Sequence, residues 1–260
     1  MYLLLVVVFR FVLRRKFPGS NLLFFGVFLV IYYGMMIQAL ISSLYVYHNG
    51  HNIWTNGAMN LLGVRLVELA GSAKVENKGR RTLYLFNHRS IFDFNVHDAI
   101  CEYDANYLSS ETVAYFLPTT YFLTRWLNSV FFFKRGGRGD RLSPFFAWLD
   151  TQFVHPMLIK PGLIFYGEGH RNPRPDPLPL KRGMIRYSFE RAIPIQMIMA
   201  FGVENVIAEK ELRVERTKTV RYFRYPLIHP DRFPSAQAYH DHIQALFSER
   251  FYAIKQRCAA

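Results

Sequence analysis

In Phe86-Asn87-His88-Arg89-Ser90-Ile91-Phe92-Asp93, a histidine and an aspartate stand five positions apart, where an apolar strand pattern gives way to a helical one. The first turn of a helix can carry such a carboxylate back toward the imidazole. There it orients the ring and supports the imidazolium that forms on proton uptake. Backbone N–H groups at the helix start also favour an anion nearby. The chemistry suggested is a general base, His88, held by Asp93. A solvated loop histidine with a capping aspartate has the same spacing, so the pair alone does not decide. His97 and Glu102 repeat the offset, but well inside the helical segment, where five residues do not fall on one face. That second pair is expected to be structural.

Two further segments carry polar groups at strand ends. In Phe165-Tyr166-Gly167-Glu168-Gly169-His170-Arg171 the glycines allow a tight turn, and Glu168 and Arg171 are presented on the loop. Arginine suits a phosphate because its planar fork donates two parallel hydrogen bonds. A surface turn with a salt-bridged pair is the plainer reading. In Ser129-Val130-Phe131-Phe132-Phe133-Lys134-Arg135, followed by Gly136-Gly137-Arg138-Gly139-Asp140-Arg141, basic residues meet a glycine turn able to cradle phosphate. No Gly-Lys-Ser/Thr is present, so this is not a nucleotide P-loop.

The elements that must position these residues alternate. Strands are expected at Thr82–Phe86, Phe131–Lys134, Gly162–Tyr166 and Ile193–Ala200. Helices are expected at Ala58–Ala70, from Ser90, at Asp140–His155 and from Ser235, where Tyr239, Ile243, Leu246, Phe247, Phe251 and Ile254 form an apolar stripe. Ser90-x-x-Asp93 has the form of a capping box. His48–Gly57 has the composition of a linker, Asn172–Pro179 that of a proline loop, and Glu211–Tyr225 that of a half-exposed strand or hairpin. Alternation of this kind gives an α/β domain.

Composition narrows the setting. Across 260 residues, 51% are hydrophobic and 17% aromatic, which excludes disorder, and the net charge of +13 points to an anionic partner. The aromatics cluster in apolar runs instead of alternating with basic residues, which argues against nucleic acid. Two cysteines build no disulfide framework, so a reducing compartment is expected. Asn21–Tyr47 carries no charge and follows an apolar run with Arg14, Arg15 and Lys16 behind it. That order disfavours a cleaved signal peptide. It leaves open a single span or a hairpin dipping into one leaflet. Residues 1–50 are expected to form hydrophobic membrane-anchoring helices, and residues 51–260 the α/β domain.

In combination, Asn-His-x-x-x-x-Asp, apolar-Lys-Arg, Glu-Gly-x-Arg and Ile193-Pro194-Ile195 resemble the glycerophosphate and lysophospholipid acyltransferase family, most of all the lysophosphatidic acid acyltransferases. The resemblance covers about Thr82 to Ala200. It implies a single domain with a mostly central sheet flanked by helices, and a site facing a membrane. It further implies His88 as the base that deprotonates an acceptor hydroxyl, Asp93 as its orienting partner, and Glu168, Gly169 and Arg171 around the acceptor phosphate with Arg135 assisting. Pro194 is expected to shape the pocket near the acyl donor. Acyl-CoA is the implied co-substrate and a lysophospholipid the acceptor. No metal or other cofactor is expected, and the expected location is the endoplasmic reticulum membrane with the site on the cytosolic side. The sequence departs from the family's pattern at Tyr166-Gly167, where Phe-Pro is usual, at His170, where Thr is usual, and at Ser129 and Lys134. Those departures bear on which acceptor is used.

Overall fold

The computed structural model describes residues 21–45, 50–76, 78–116, 130–134, 142–154 and 160–259, with backbone alone for 38–45, 50–53, 114–116 and 259. At its centre is a seven-stranded sheet of β1 (Arg65–Glu68), β2 (Leu83–Phe86), β3 (Ala105–Ser110), β4 (Val130–Phe133), β5 (Gly162–Tyr166), β6 (Ile195–Phe201) and β9 (Thr219–Ile228). The strand order is β1-β9-β6-β2-β5-β3-β4. All neighbours are parallel except β6 and β9. A two-stranded antiparallel ribbon, β7 (Ile207–Ala208) and β8 (Arg213–Val214), stands apart.

The strands expected at residues 82–86, 131–134, 162–166 and 193–200 are all present, within two residues at each end. Their sequences are continuous apolar runs because the parallel sheet is covered on both faces. Along β2, Tyr84 and Phe86 enter one core and Leu83 and Leu85 the other, as the two-residue period of a strand requires. The first core is closed by α1 (Leu22–Tyr45), α2 (Gly50–Leu62) and α3 (Asp93–Ile100); the second by α5 (Leu142–Phe153), α6 (Arg182–Glu190) and the terminal α8 (Ala236–Ala259). Short helices α4 (Glu111–Phe116) and α7 (Val203–Val206) complete the set among the described residues.

Three local expectations are corrected. The linker at 48–57 and the helix at 58–70 are instead α2 followed by β1. Gly63, at φ 62°, ends the helix with its N–H on Asn60 O and that of Val64 on Met59 O, a left-handed stop that returns the chain to the sheet edge. β3 has no counterpart among the expected strands. Finally, α3 begins at Asp93, three residues after Ser90.

The expected membrane span is not found: no helix among the described residues is long and apolar enough to cross a membrane. Helix α1 lies along the domain, with Phe28, Tyr32 and Met36 in the first core. Asn21 is tied to Val214 by two hydrogen bonds of 2.6 and 3.0 Å. Its outer stripe is left apolar and open, with Leu23 75% and Val30 74% exposed.

Candidate active site

His88 emerges two residues beyond β2, and Asp93 opens α3. His88 Nδ1 lies 2.7 Å from Asp93 Oδ2. The same oxygen accepts the N–H groups of Arg89 at 2.6 Å and Ser90 at 3.0 Å. The six residues from His88 to Asp93 thus close a turn around one carboxylate oxygen, and the Ser90 N–H on it is half of the expected capping box. The other half is absent: Ser90 Oγ accepts from Phe92 N–H and donates to Ile207 O. Since Asp93 accepts at Nδ1, that nitrogen carries the proton and the dyad directs base chemistry to Nε2. Asp93 is fully buried, whereas His88 keeps 12% of its side chain exposed. Burial pushes the Asp93 carboxyl up to about 6, against the opposing pull of His97 and of the two amides.

The ring of His88 is held on its face as well. Tyr166 stacks on it at 3.8 Å between centroids and 11° between planes. Asn87, between β2 and His88, exchanges two hydrogen bonds with Ala200 of β6, at 2.8 and 2.9 Å. These extend the β2–β6 pairing through a side chain to the residue before the histidine. Arg89 turns the other way and is buried. It reaches Glu204 at 2.9 Å, the carbonyls of Asn172, Pro173 and Arg174 at 2.8, 3.1 and 2.6 Å, and the faces of Phe201 and Phe251. Through it the proline loop is fastened behind the dyad.

Glu168 is placed differently from the expectation that it touches a ligand. It is 1% exposed, and its carboxylate accepts from His88 N–H at 3.2 Å, and from Asn172 Nδ2 and Leu178 N–H at 2.8 Å each. Its role in this geometry is to join the loop after β5 to the backbone of His88. Gly169, at φ 75°, makes the turn that follows.

His88 opens into a cavity of about 800 Å³, a size in the range of small-molecule sites. Its lining is mostly apolar, with Ile91, Phe94, Leu108, Val113, Phe133, Phe145, Phe165 and Met184, and it also carries Lys134, His170, Arg171 and Lys181. Arg171 Nε pairs with Glu209 at 3.2 Å, and both line the cavity. Of the residues singled out in the sequence, His88, Gly169 and Arg171 line this space, with Asp93 and Glu168 directly behind it. Arg135 lies outside the described residues. Pro194 is a correction: it precedes β6 and accepts from Leu83 N–H at 3.0 Å. Since β2 and β6 run parallel, the start of β6 is at the edge of the sheet opposite His88.

Lys181 and Glu209 have no place in the sequence reading, while Tyr166 enters it only as a departure from a motif and His97 only as half of a pair expected to be structural. His97 carried a legible signal, because it stands four residues after Asp93, on the same face of one helix. It was compared with Glu102 instead. Tyr166 ends β5, Lys181 precedes α6 and Glu209 follows β7, and only the fold brings them together.

No protein-family model matches the chain, and no curated protein matches it in sequence. Among solved structures the comparison is decisive for the architecture. A crystal structure of the 1-acyl-sn-glycerophosphate (LPA) acyltransferase PlsC from Thermotoga maritima superposes with a TM-score of 0.64 over 90% of this chain and 94% of that one, at 17% identity. The chain has the PlsC fold. The resemblance drawn from four short motifs therefore extends to the whole architecture, including the sheet flanked by helices. In that fold the strand end bearing His88 and the one bearing Glu168 are neighbours, since Phe86 pairs with Tyr166.

Proposed function

We propose that the protein is an O-acyltransferase that moves a fatty acyl group from acyl-CoA to the free hydroxyl of a lysophospholipid, with lysophosphatidic acid the preferred acceptor. The observation that carries this reading is that one cavity brings together His88, backed by Asp93, with apolar side chains and with Lys134, Arg171 and Lys181. A fatty chain suits the apolar side chains and a phosphate the basic ones.

His88 Nε2 takes the proton of the acceptor hydroxyl as its oxygen attacks the thioester carbonyl carbon. The C–O bond forms, the tetrahedral adduct collapses, and the C–S bond breaks. The leaving thiolate receives the proton from His88, which returns to its neutral form. Asp93 supports the imidazolium in between. Arg171 and Lys181 face the acceptor phosphate, with Arg135 a further candidate, while Glu168 acts through the loop backbone. The outer stripe of α1 rests on a membrane surface, where both lipid substrates reside.

Transfer of labelled oleate from oleoyl-CoA tests this, with glycerol 3-phosphate, lysophosphatidic acid and lysophosphatidylcholine as acceptors. Transfer to lysophosphatidic acid that is lost in His88→Ala is the expected result. Absence of transfer to any acceptor, with no thioester hydrolysis, would leave a lipid-binding module of the same fold.

A further inference from the structure

Behind the dyad two buried polar atoms face each other. Asp93 Oδ1 and His97 Nε2 have no hydrogen-bond partner, and they lie 3.8 Å apart on adjacent turns of α3. Both side chains are wholly buried. Unpartnered groups at such depth are costly and uncommon, and here the two are complementary. The other nitrogen of His97, Nδ1, is 3.3 Å from the Tyr166 hydroxyl. Phe86 stacks on the His97 ring at 4.0 Å and 13°, which fixes its plane. His97 does not line the cavity.

We propose that His97 is a positioning residue for the His88–Asp93 pair, presenting an Nε2–H to the second oxygen of Asp93 and accepting the Tyr166 hydroxyl at Nδ1. The inference rests on the reading of His88 and Asp93 as an acid–base pair. Only one tautomer suits both neighbours. With the proton on Nδ1, the Nε2 lone pair would face a carboxylate oxygen. With it on Nε2, the carboxylate meets a donor and the phenol meets an acceptor. At 3.8 Å the contact with Asp93 is electrostatic, and a small shift of either side chain makes it a hydrogen bond. One residue thereby holds His88 from two sides, through Asp93 in the plane of the ring and through Tyr166 against its face.

Burial lowers His97 to about 4, so the neutral ring persists throughout the working range. The titratable groups facing it are Asp93 on its own helix, His88 on the preceding loop and Tyr166 on β5. Glu204 acts on Asp93 from further away. As a neutral ring His97 holds the Asp93 carboxyl down through its Nε2–H, which favours the anion; without that donor the carboxyl titrates at higher pH, and the acid limb of activity moves up.

Two measurements decide the matter. Ring proton–nitrogen NMR of the full chain reads the tautomer without reference to catalysis. A neutral His97 with its proton on Nε2 from pH 8 to 5 is expected; a proton on Nδ1, or titration near pH 6.5, overturns the proposal. The pH profile of kcat/KM is then compared between wild type, His97→Phe and His97→Gln, each checked for an intact thermal transition. His97→Phe keeps the stack with Phe86. It should lose about tenfold or more in kcat, the worth of one hydrogen bond to a charged group, with acceptor KM unchanged and the acid limb shifted upward. His97→Gln, which restores a donor, should recover part of the loss. A folded His97→Phe enzyme with an unmoved profile removes His97 from the mechanism. If wild type itself transfers no acyl group, the functional reading fails, while the NMR result still answers for the tautomer.

Discussion

Tyr166 lies flat on His88, with ring centroids 3.8 Å apart. Its hydroxyl lies 3.3 Å from His97 Nδ1. Tyr166→Phe keeps the stack and should retain most of the activity. Tyr166→Ala frees the His88 ring to rotate and should lower kcat by about tenfold or more, a fraction of the roughly 10²–10⁴-fold that a placed general base contributes. Steady-state kinetics of the two variants side by side provide the check; equal rates would show that the stack has no part in catalysis.

Activity should fall as the pH drops below about 6. Burial raises Asp93 to that value, so acid protonates it and removes the negative charge that supports the His88 imidazolium. The sign is fixed by the direction of the shift: a raised carboxyl pKa leaves the anion in place only on the alkaline side. Asp93→Asn holds the group neutral at every pH. Its residual activity should lack this limb, as a kcat/KM profile between pH 5 and 9 would reveal.

Arg89 should matter for stability more than for substrate binding. It is buried, pairs with Glu204 and caps three carbonyls of the proline loop. Arg89→Leu leaves those acceptors and one oxygen of a partly buried carboxylate without a partner, the other oxygen keeping the Gly202 N–H. A loss of about 3–5 kcal/mol is expected for breaking such a pair, lowering the thermal midpoint by on the order of 10 °C. A drop of only a degree or two in calorimetry would show that water takes over these contacts without cost.

Glu209 places a carboxylate 3.2 Å from the Arg171 guanidinium in the cavity lining. An entering phosphate meets a like charge there. Glu209→Gln keeps an oxygen for the Arg171 N–H and removes the charge, so KM for a phosphate-bearing acceptor should fall severalfold. Arg171→Lys should raise that KM, because a point charge replaces a planar fork. Opposite movement of the two variants in acceptor titrations is the expected signature; parallel movement would place the phosphate elsewhere.

Removal of the whole N-terminal segment is a poor test of membrane association, because Phe28, Tyr32 and Met36 belong to the core and Tyr32 donates to Asn95 on α3 at 2.8 Å. The exposed stripe can be changed alone. The triple variant Leu23→Glu, Val30→Glu, Ile37→Glu should keep its thermal midpoint, since each site is at least half exposed. It should lose sedimentation with phospholipid vesicles, and undiminished sedimentation would assign binding to another surface.

The sequence by itself determined the α/β class, the positions of most strands and the local turn that joins His88 to Asp93. Those features depend on neighbours in the chain: apolar runs long enough to cross a covered sheet, glycines where φ must be positive, and a short turn that closes on its own carboxylate. What it misassigned or missed depends on distant pairing. β1 is a strand because β9 lies beside it, and α1 is a docked helix because the first core accepts its aromatic stripe. Glu168 is expected from the sequence on a ligand-facing loop; the tertiary structure buries it because the loops after β2 and β5 end side by side. Pro194 was drawn to the site by its motif and is removed from it by strand direction. Tyr166, His97, Lys181 and Glu209 come from β5, α3 and two separate loops, and no spacing rule relates them. Only the crossover order of the sheet, which sets which strand ends share an edge, could assemble them around one imidazole.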